Sequence, residues 1–448
     1  MMIFLESLGC CRNLVDSEVM LGRLTAAGHG VVHGPAEADV IIVNTCGFIS
    51  AASAEAVDTI LAMAEYRQNG RCRRLVVTGC LPERFKDDDL RGELPEVDAF
   101  VGTGACDEIV RVVESKEFLS LMPDVLDRQM QGHPLPRRIT LDYLAYVKIS
   151  EGCNRHCTYC IIPKLRGIQR SRTVDAVVAE SEILVRNGVR EIVLVGENTS
   201  DYGKDLEVDG SGNNSSVNLA LLLTTLSGRI KTLDPDVWIR LLYTHPSSLD
   251  QDAVRAMADL DNVCTYFDVP IQHASSKILR RMGRNYTGED LHGLFASIRR
   301  TAPDAALRTT LITGFPGETE ADFNEMLAFV KATRFDQLGV FAYSDSHDLA
   351  AHSLADHVDE KTGEARRDEI MAAQAEISER LNESYLGKTL TVLVEENPDP
   401  GIFLGRTRFQ APEVDGITFI YGDNIDIGTF VRVKITETHA YDLVGELV

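Results

Sequence analysis

Apolar and polar positions alternate in blocks along this chain, and the character of the blocks changes twice. "MIFLESLG" is a strand-like apolar run, and helical periodicity follows through "DSEVMLGRLTAAG". "ADVIIVNTC" precedes the helical "AASAEAVDTILAMAEYR", and "RRLVVTGC" comes next. Strand-like runs that alternate with helical ones predict βα units and a parallel sheet over roughly the first 120 residues. Residues 128–142, "RQMQGHPLPRRITLD", carry prolines, mixed charge and no periodicity, and read as a linker. A second βα series starts at "YLAYVKIS". Its later strands are "REIVLVGE", "VWIRLLY", "CTYFDVPI", "AALRTTLIT" and "QLGVFAY". Between them, "TVDAVVAESEILVRNG" ends at Gly188 as a helix C-cap does. About six units predict a partial or full α/β barrel.

The insert "DGSGNNSSVN", residues 209–218, reads as a polar loop, and "TGEARRDEIMAAQAEISERLNESYLG" as one long helix leaving the barrel. From residue 384 the runs are short and β-rich, split by Gly, Pro and Asn, which fits a small antiparallel barrel. The expected organisation is therefore an N-terminal parallel-sheet domain (1–127), a linker (128–142), an α/β barrel with its terminal helix (143–383) and a small β-barrel (384–448).

Composition narrows the class. The chain has 448 residues, 44% apolar and 25% charged, as a normal globular protein of two or three domains has. No run of 18 apolar residues predicts a membrane span, and the opening "MMIFLESLGC" lacks the basic start of a signal peptide. A cytoplasmic location is expected. The net charge of −23 disfavours general nucleic-acid binding, which draws on phosphate neutralisation, and favours a basic partner.

Ten cysteines change the picture more. In a large acidic chain without a leader they point to metal binding or packing before disulfides. "EGCNRHCTYC" spaces Cys153, Cys157 and Cys160 as C-x3-C-x2-C, directly after a strand. Three thiolates in a short loop suit three irons of a four-iron cluster and leave the fourth iron open. A zinc site is the alternative, but structural zinc closes with four ligands, and His156 lies between two of the cysteines. Cys10, Cys46 and Cys80 each follow an apolar strand by one to three residues. The carboxyl ends of parallel strands share one edge, so these three can converge on a second triad. Cys11, Cys72, Cys106 and Cys264 show no partner pattern and read as packing. The eleven histidines form no metal-binding helix pattern. Asp16 and Glu18 read as acids near a helix start, where they suit the dipole.

The C-x3-C-x2-C loop after a first barrel strand resembles the radical S-adenosylmethionine (SAM) superfamily. "SLGCCRNLVDSE", "VNTCGF" and "VTGCLPER" resemble its methylthiotransferase branch, whose three parts are an N-terminal three-cysteine domain, a radical SAM barrel and a TRAM β-barrel. The resemblance covers essentially the whole chain. It implies two [4Fe-4S] clusters as metal centres, held by Cys153, Cys157 and Cys160 and by Cys10, Cys46 and Cys80, with SAM as cofactor. It also implies SAM-pocket roles for Tyr159, Gly196, Glu197, Arg308, Gly314, Gly317 and Glu318, and substrate-side positions for His245 and His273. Two features depart from the family: Glu197 stands where a neutral residue is expected, and "YSDSHDLAAHSL" replaces a glycine- and threonine-containing loop.

Two family branches are expected to differ in substrate: one modifies a tRNA adenosine, the other an aspartate of small-subunit ribosomal protein twelve. Residues 384–448 carry five Lys and Arg against ten Asp and Glu, a poor phosphate binder that suits a basic protein. "APEVDGITFIYG" and "LRTTLITGFPGETEADF" resemble the ribosomal-protein branch as well. The resemblance then implies that a SAM-derived radical abstracts hydrogen from the aspartate β-carbon. Sulfur comes from the Cys10/Cys46/Cys80 cluster, methyl from a second SAM, and electrons from a donor such as flavodoxin or ferredoxin. An unactivated C–H bond of this kind lies beyond general acid–base catalysis.

Overall fold

In the computed structural model, which describes residues 1–126, 137–206 and 217–448, the run "VIIVNT" is buried at every position, as a central parallel strand requires. It is β3 (Val40–Thr45). Around it stand β1 (Met2–Ser7), β2 (Gly30–Val31), β4 (Arg74–Gly79), β5 (Ala99–Gly102) and β6 (Leu119–Leu121), in the order β2-β1-β3-β4-β5-β6. Every pair is parallel. Val40 and Ile42 face one layer, with Met20 and Leu24 of helix Cys11–Ala26. Ile41 and Val43 face the other, with Ala56 and Ile60 of helix Ser50–Ala64. The strand order reverses between β1 and β3, which makes the crevice at their carboxyl ends the natural ligand edge.

The central domain contains β7 (Leu144–Lys148), β8 (Ser150–Glu151), β9 (Arg170–Ser171), β10 (Glu191–Val195), β11 (Trp238–Leu241), β12 (Tyr266–Asp268), β13 (Ala306–Thr313) and β14 (Gln337–Ala342). Two parallel sheets, β7-β10-β11 and β12-β13-β14, join through the bridge Ile239–Val263 into an arc of six strands in chain order. The arc is an open barrel. One face packs against the helices, through Val147, Ile192, Leu194 and Ile239. The other face, with Leu144, Tyr146, Val193 and Trp238, receives Cys11, Val15 and Val19 from the first domain's helix and Ala411 from the C-terminal domain. Neighbouring domains thus fill the space that an eight-stranded barrel fills with its own side chains.

The C-terminal strands β15 (Thr389–Asp399), β16 (Ile402–Thr407), β17 (Thr418–Tyr421), β18 (Phe430–Thr438) and β19 (Leu443–Leu447) close into a barrel. Four seams are antiparallel, and the β17–β19 seam is parallel. One further expectation changes. The long helix is Glu360–Asn382, and it does not leave the barrel. Gly363 meets Gly314 near the end of β13, and Gln374 donates to the Phe335 carbonyl at 2.7 Å. Of the expected linker, residues 128–136 lie outside the described residues, as do 209–216 of the expected polar loop. Arg137 and Thr140, also in that linker stretch, clamp Glu18 of the first domain. Arg137 pairs with it, and the Thr140 backbone N–H and hydroxyl both donate to it at 2.9 Å. Among the described residues no helix is long and apolar enough to cross a membrane.

Candidate functional site

Strand register brings the first three cysteines together. Ser7 pairs with Asn44, and Thr45 with Gly79, so the chain leaves β1, β3 and β4 at one level. Cys46 and Cys80 are the next residues on adjacent strands, and adjacent strands lie about 5 Å apart. Cys10 precedes helix Cys11–Ala26 in extended conformation. A Cβ on Gly9 would stand 2.7 Å from Cys46 Cβ and 3.3 Å from its Sγ. Gly79 has φ +99°, and a Cβ there would meet Asn44 Oδ1 at 2.4 Å, so only glycine lets the chain turn into Cys80. Asn13 ties the loops: its Nδ2 donates to Thr45 O at 2.9 Å and Leu8 O at 3.1 Å, and its Oδ1 lies 3.9 Å from Cys80 Sγ.

The adjacent cysteines separate. Burial raises the Cys10 thiol, but the charges of Arg12 and Arg166 and the backbone N–H groups of Asn13 and Arg12 outweigh it, and the thiol titrates below its ordinary range. Cys11 is buried, its Sγ 3.5 Å from the Tyr243 hydroxyl, and burial pushes it up to about 11. Cys72, Cys106 and Cys264 are buried too; Cys72 and Cys106 bond backbone carbonyls, at 3.4 and 3.5 Å.

Cys153, Cys157 and Cys160 line a cavity of ≈ 240 Å³ at the carboxyl ends of the barrel strands. Burial pushes Cys153 up to about 11 and Cys160 to about 12, so these thiols keep their protons unless a bound metal displaces them. His156, the sequence's other candidate ligand, is exposed. Among the described residues no three His, Cys, Asp or Glu side chains form the ligand set of one ion. Thiolates that each take a different iron of a cluster need no such closeness. The soft donor set and the cavity beside it fit an iron–sulfur cluster with one open iron.

The same cavity is lined by Arg12 and Phe48, each two residues from a cysteine of the first triad, and by Glu197 and Tyr159. Glu197 follows β10 by two positions. Both its carboxylate oxygens are buried without a hydrogen-bond partner, and Arg12 Nε stands 3.7 Å away. Burial and then the Glu151 charge raise this carboxyl, with Arg12 and Arg166 opposing. Such an orphaned acceptor costs stability unless a ligand donates to it. Gly196 accepts from Arg12 Nη1 at 3.0 Å through its carbonyl. His245 also lines the cavity, where burial followed by the charges of Arg284 and Arg155 pushes it down to about 2 and keeps it neutral.

Besides Gly196, four further expected pocket residues are not among those lining this cavity. Arg308 is held by Asp268 at 3.0 Å and by Asp415 of the C-terminal domain at 3.3 Å. Gly314 packs on Gly363, and Gly317 packs on Arg281. Glu318 pairs with Arg366 at 2.7 Å and accepts from the Gly314 N–H at 3.0 Å. The Gly-Pro turn therefore seats the long helix. His273 is fully buried and faces Glu318 at 3.4 Å, away from the cavity.

Buried charges beside Cys80, not visible in the sequence, tie the first domain to the central one. Asp16 accepts from Lys148 Nζ at 2.6 Å and from Arg166 Nη1 at 2.8 Å, and Arg166 Nη2 reaches Cys80 Sγ at 3.6 Å. Asp16 and Glu18 are thus contacts between domains, and not helix-dipole partners. In the divergent loop, Asp348 takes Arg84 in a two-point pair at 2.7 and 2.9 Å, while Arg84 Nη1 holds the Gly47 carbonyl beside Cys46 at 2.7 Å. The loop's Leu349 packs on a cluster that contains Cys80.

Three family models match the chain: "Uncharacterized protein family UPF0004" over residues 2–102, "Radical SAM superfamily" over 147–330 and "TRAM domain" over 386–448. A ribosomal protein uS12 methylthiotransferase RimO from Desulfosudis oleivorans is 49% identical and covers 100% of both chains. The protein of that name from Clostridioides difficile is 43% identical over 100% of this chain and 98% of its own. Among solved structures, the radical SAM methyltransferase TsrM of Kitasatospora setae, with cobalamin and a [4Fe-4S] cluster, superposes with a TM-score of 0.55. It is 15% identical, over 76% of this chain and 72% of that one, a likeness of fold alone.

Proposed function

This chain belongs to the RimO family of ribosomal protein uS12 methylthiotransferases, and from that premise we propose how its residues divide the work. It is a radical SAM transferase with [4Fe-4S] clusters and SAM as cofactors, and ribosomal protein uS12 is its substrate. The tRNA reading is not favoured. In the proposed division, Cys153, Cys157 and Cys160 hold the cluster that binds SAM, and Cys10, Cys46 and Cys80 hold the one that hands over sulfur. When bound, the first cluster and SAM supply the radical that opens the β C–H bond of an aspartate.

The chain's own residues do the rest. Glu197, with two unpartnered buried oxygens, accepts hydrogen bonds from the SAM ammonium. Tyr159 walls the cavity against water. Arg12 and Arg166 place positive charge beside Cys10, which favours thiolate there, while burial raises Cys46 and Cys80. The working site is cytoplasmic, and the reductant is a flavodoxin or ferredoxin.

One observation carries this reading: a single cavity is bounded by the second triad and by Arg12 and Phe48, each two positions from a cysteine of the first. The test is anaerobic. Reconstituted holoenzyme, SAM and reductant are incubated with a loop peptide of uS12 or with tRNA, and both are analysed by mass spectrometry. The peptide gains one methylthio group and the tRNA none. Methylthiolated tRNA with unmodified peptide would refute the assignment.

A further inference from the structure

Outside the cysteine cavity, the first domain has a groove of ≈ 650 Å³ between helix Ser50–Ala64 and the short helices Cys80–Arg84 and Leu90–Glu93. Val57, Leu81, Phe85, Leu90 and Leu94 give it an apolar lining. The acids Asp58, Asp88, Asp89 and Glu93 line it too, and all four are exposed. The cations of residues 81–94 are engaged elsewhere. Arg84 is held by Asp348 at 2.7 Å, Lys86 by Glu83 at 3.1 Å, and the Arg91 Cζ lies 4.2 Å from the Phe118 ring centre. Among the described residues no Lys or Arg pairs with any of the four acids. Asp89 is occupied as a helix cap, accepting from the Gly92 N–H at 3.0 Å. The groove thus joins apolar surface to negative charge that the chain itself does not neutralise.

Its position adds a second argument. Leu81 follows Cys80, and a Cβ on Gly47, beside Cys46, would stand 3.0 Å from the Leu81 Cα. Phe48 comes next and lines the cysteine cavity, and both it and Ile49 are exposed. The helix that carries Val57 and Asp58 begins at the following residue. Groove and cavity are therefore joined across the loop 47–49. About 12 Å of helix separate Ser50 from Asp58, which about four residues of extended chain can span. Proteins that sit on ribosomal RNA carry Lys and Arg to neutralise its phosphates. We propose that this groove docks the basic, partly apolar segment that flanks the modified residue of the substrate protein, while that residue reaches the cavity. Apolar side chains of the segment cover Val57, Phe85 and Leu90, and its Lys or Arg side chains pair with Asp58, Asp88 and Glu93. The same acids repel a nucleic acid. The inference rests on the reading of the chain as a uS12-modifying enzyme.

The test compares wild-type holoenzyme with Asp58→Lys/Asp88→Lys/Glu93→Lys, matched for iron and sulfide content and for circular dichroism. The substrates are intact uS12 and two peptides that reach roughly eight residues to either side of the modified aspartate. One peptide keeps its natural Lys and Arg, and the other has them replaced by Glu. Methylthiolation is followed by mass spectrometry, and 5′-deoxyadenosine formed without substrate is measured alongside. Charge reversal raises KM for uS12 and the natural peptide by roughly tenfold or more at low salt, and lowers KM for the Glu peptide. It leaves kcat and substrate-free 5′-deoxyadenosine within about twofold of wild type, and added salt narrows the KM gap. If the triple variant loses iron, Asp58→Asn/Asp88→Asn is scored in its place, with a KM rise of roughly threefold expected. An unchanged KM, or an equal rise for both peptides, overturns the docking role and leaves the family function standing. A wild-type dimer that charge reversal dissolves without a change in KM overturns it too, since a second copy then fills the groove. Wild-type holoenzyme that leaves uS12 and the natural peptide unmodified overturns both.

Discussion

Cys10 and Cys11 are neighbours in sequence with opposite surroundings. Cys10 stands at the end of β1 among Arg12, Arg166 and backbone N–H groups, while Cys11 turns into the apolar seam between two domains. In the iron-free chain, alkylation at pH 8 followed by peptide mass spectrometry labels Cys10 well ahead of Cys11, because thiolate is the reactive form. Cys10→Ala lowers bound iron and Cys11→Ala does not. In the second triad burial raises Cys153 and Cys160, so both are protonated thiols at neutral pH without metal. Cluster assembly must release those protons. Loading therefore weakens as pH falls, and an indicator dye in weak buffer records proton release on reconstitution. The cysteine pattern could be read from the sequence because strand ends are visible there. Arg12 and Arg166 could not, since each gains its role only from partners far along the chain. The surroundings of Gly314, Gly317 and Glu318 were not legible for a related reason: a Gly-Pro turn looks the same whether it faces a ligand or a helix.

Elements meet through charge as much as through apolar packing. Helix Cys11–Ala26 presents Val15 and Val19 to the barrel, and beside them the buried pairs Asp16 with Lys148 and Arg166, and Glu18 with Arg137. Breaking one partner of a buried pair strands the other. Glu18→Gln is expected to cost about 3 kcal/mol and lower the first thermal transition seen by calorimetry. Asp252→Asn removes an exposed pair with Arg255 and is expected to cost well under about 1 kcal/mol. The alternation of strand and helix was plain from periodicity. The inward turn of Asp16 and Glu18 was not, because an acid on a helix reads as a solvated face until its cationic partners are known.

At the scale of the molecule, two domains complete a barrel that is too short to close by itself. The C-terminal domain contributes Glu413 to Tyr146, Asp415 to Tyr266 and Arg308, and Arg406 to Glu191. Part of its acidic excess is therefore spent on docking to the central domain and not on a partner's surface, which the charge balance in the sequence could not reveal. The arrangement leaves one cavity with a thiol triad on its wall and neighbours of the other triad beside it. The central claim is that these triads have separate duties, and it is tested most directly on one variant with two products measured together. Cys10→Ala/Cys46→Ala/Cys80→Ala holoenzyme, reduced and supplied with SAM and the uS12 peptide, is assayed by mass spectrometry for 5′-deoxyadenosine and for methylthiolated peptide. In this variant 5′-deoxyadenosine still forms while the methylthio product is lost. Methylthiolated peptide from this variant, or loss of 5′-deoxyadenosine with the Cys153/Cys157/Cys160 iron still bound, would contradict it.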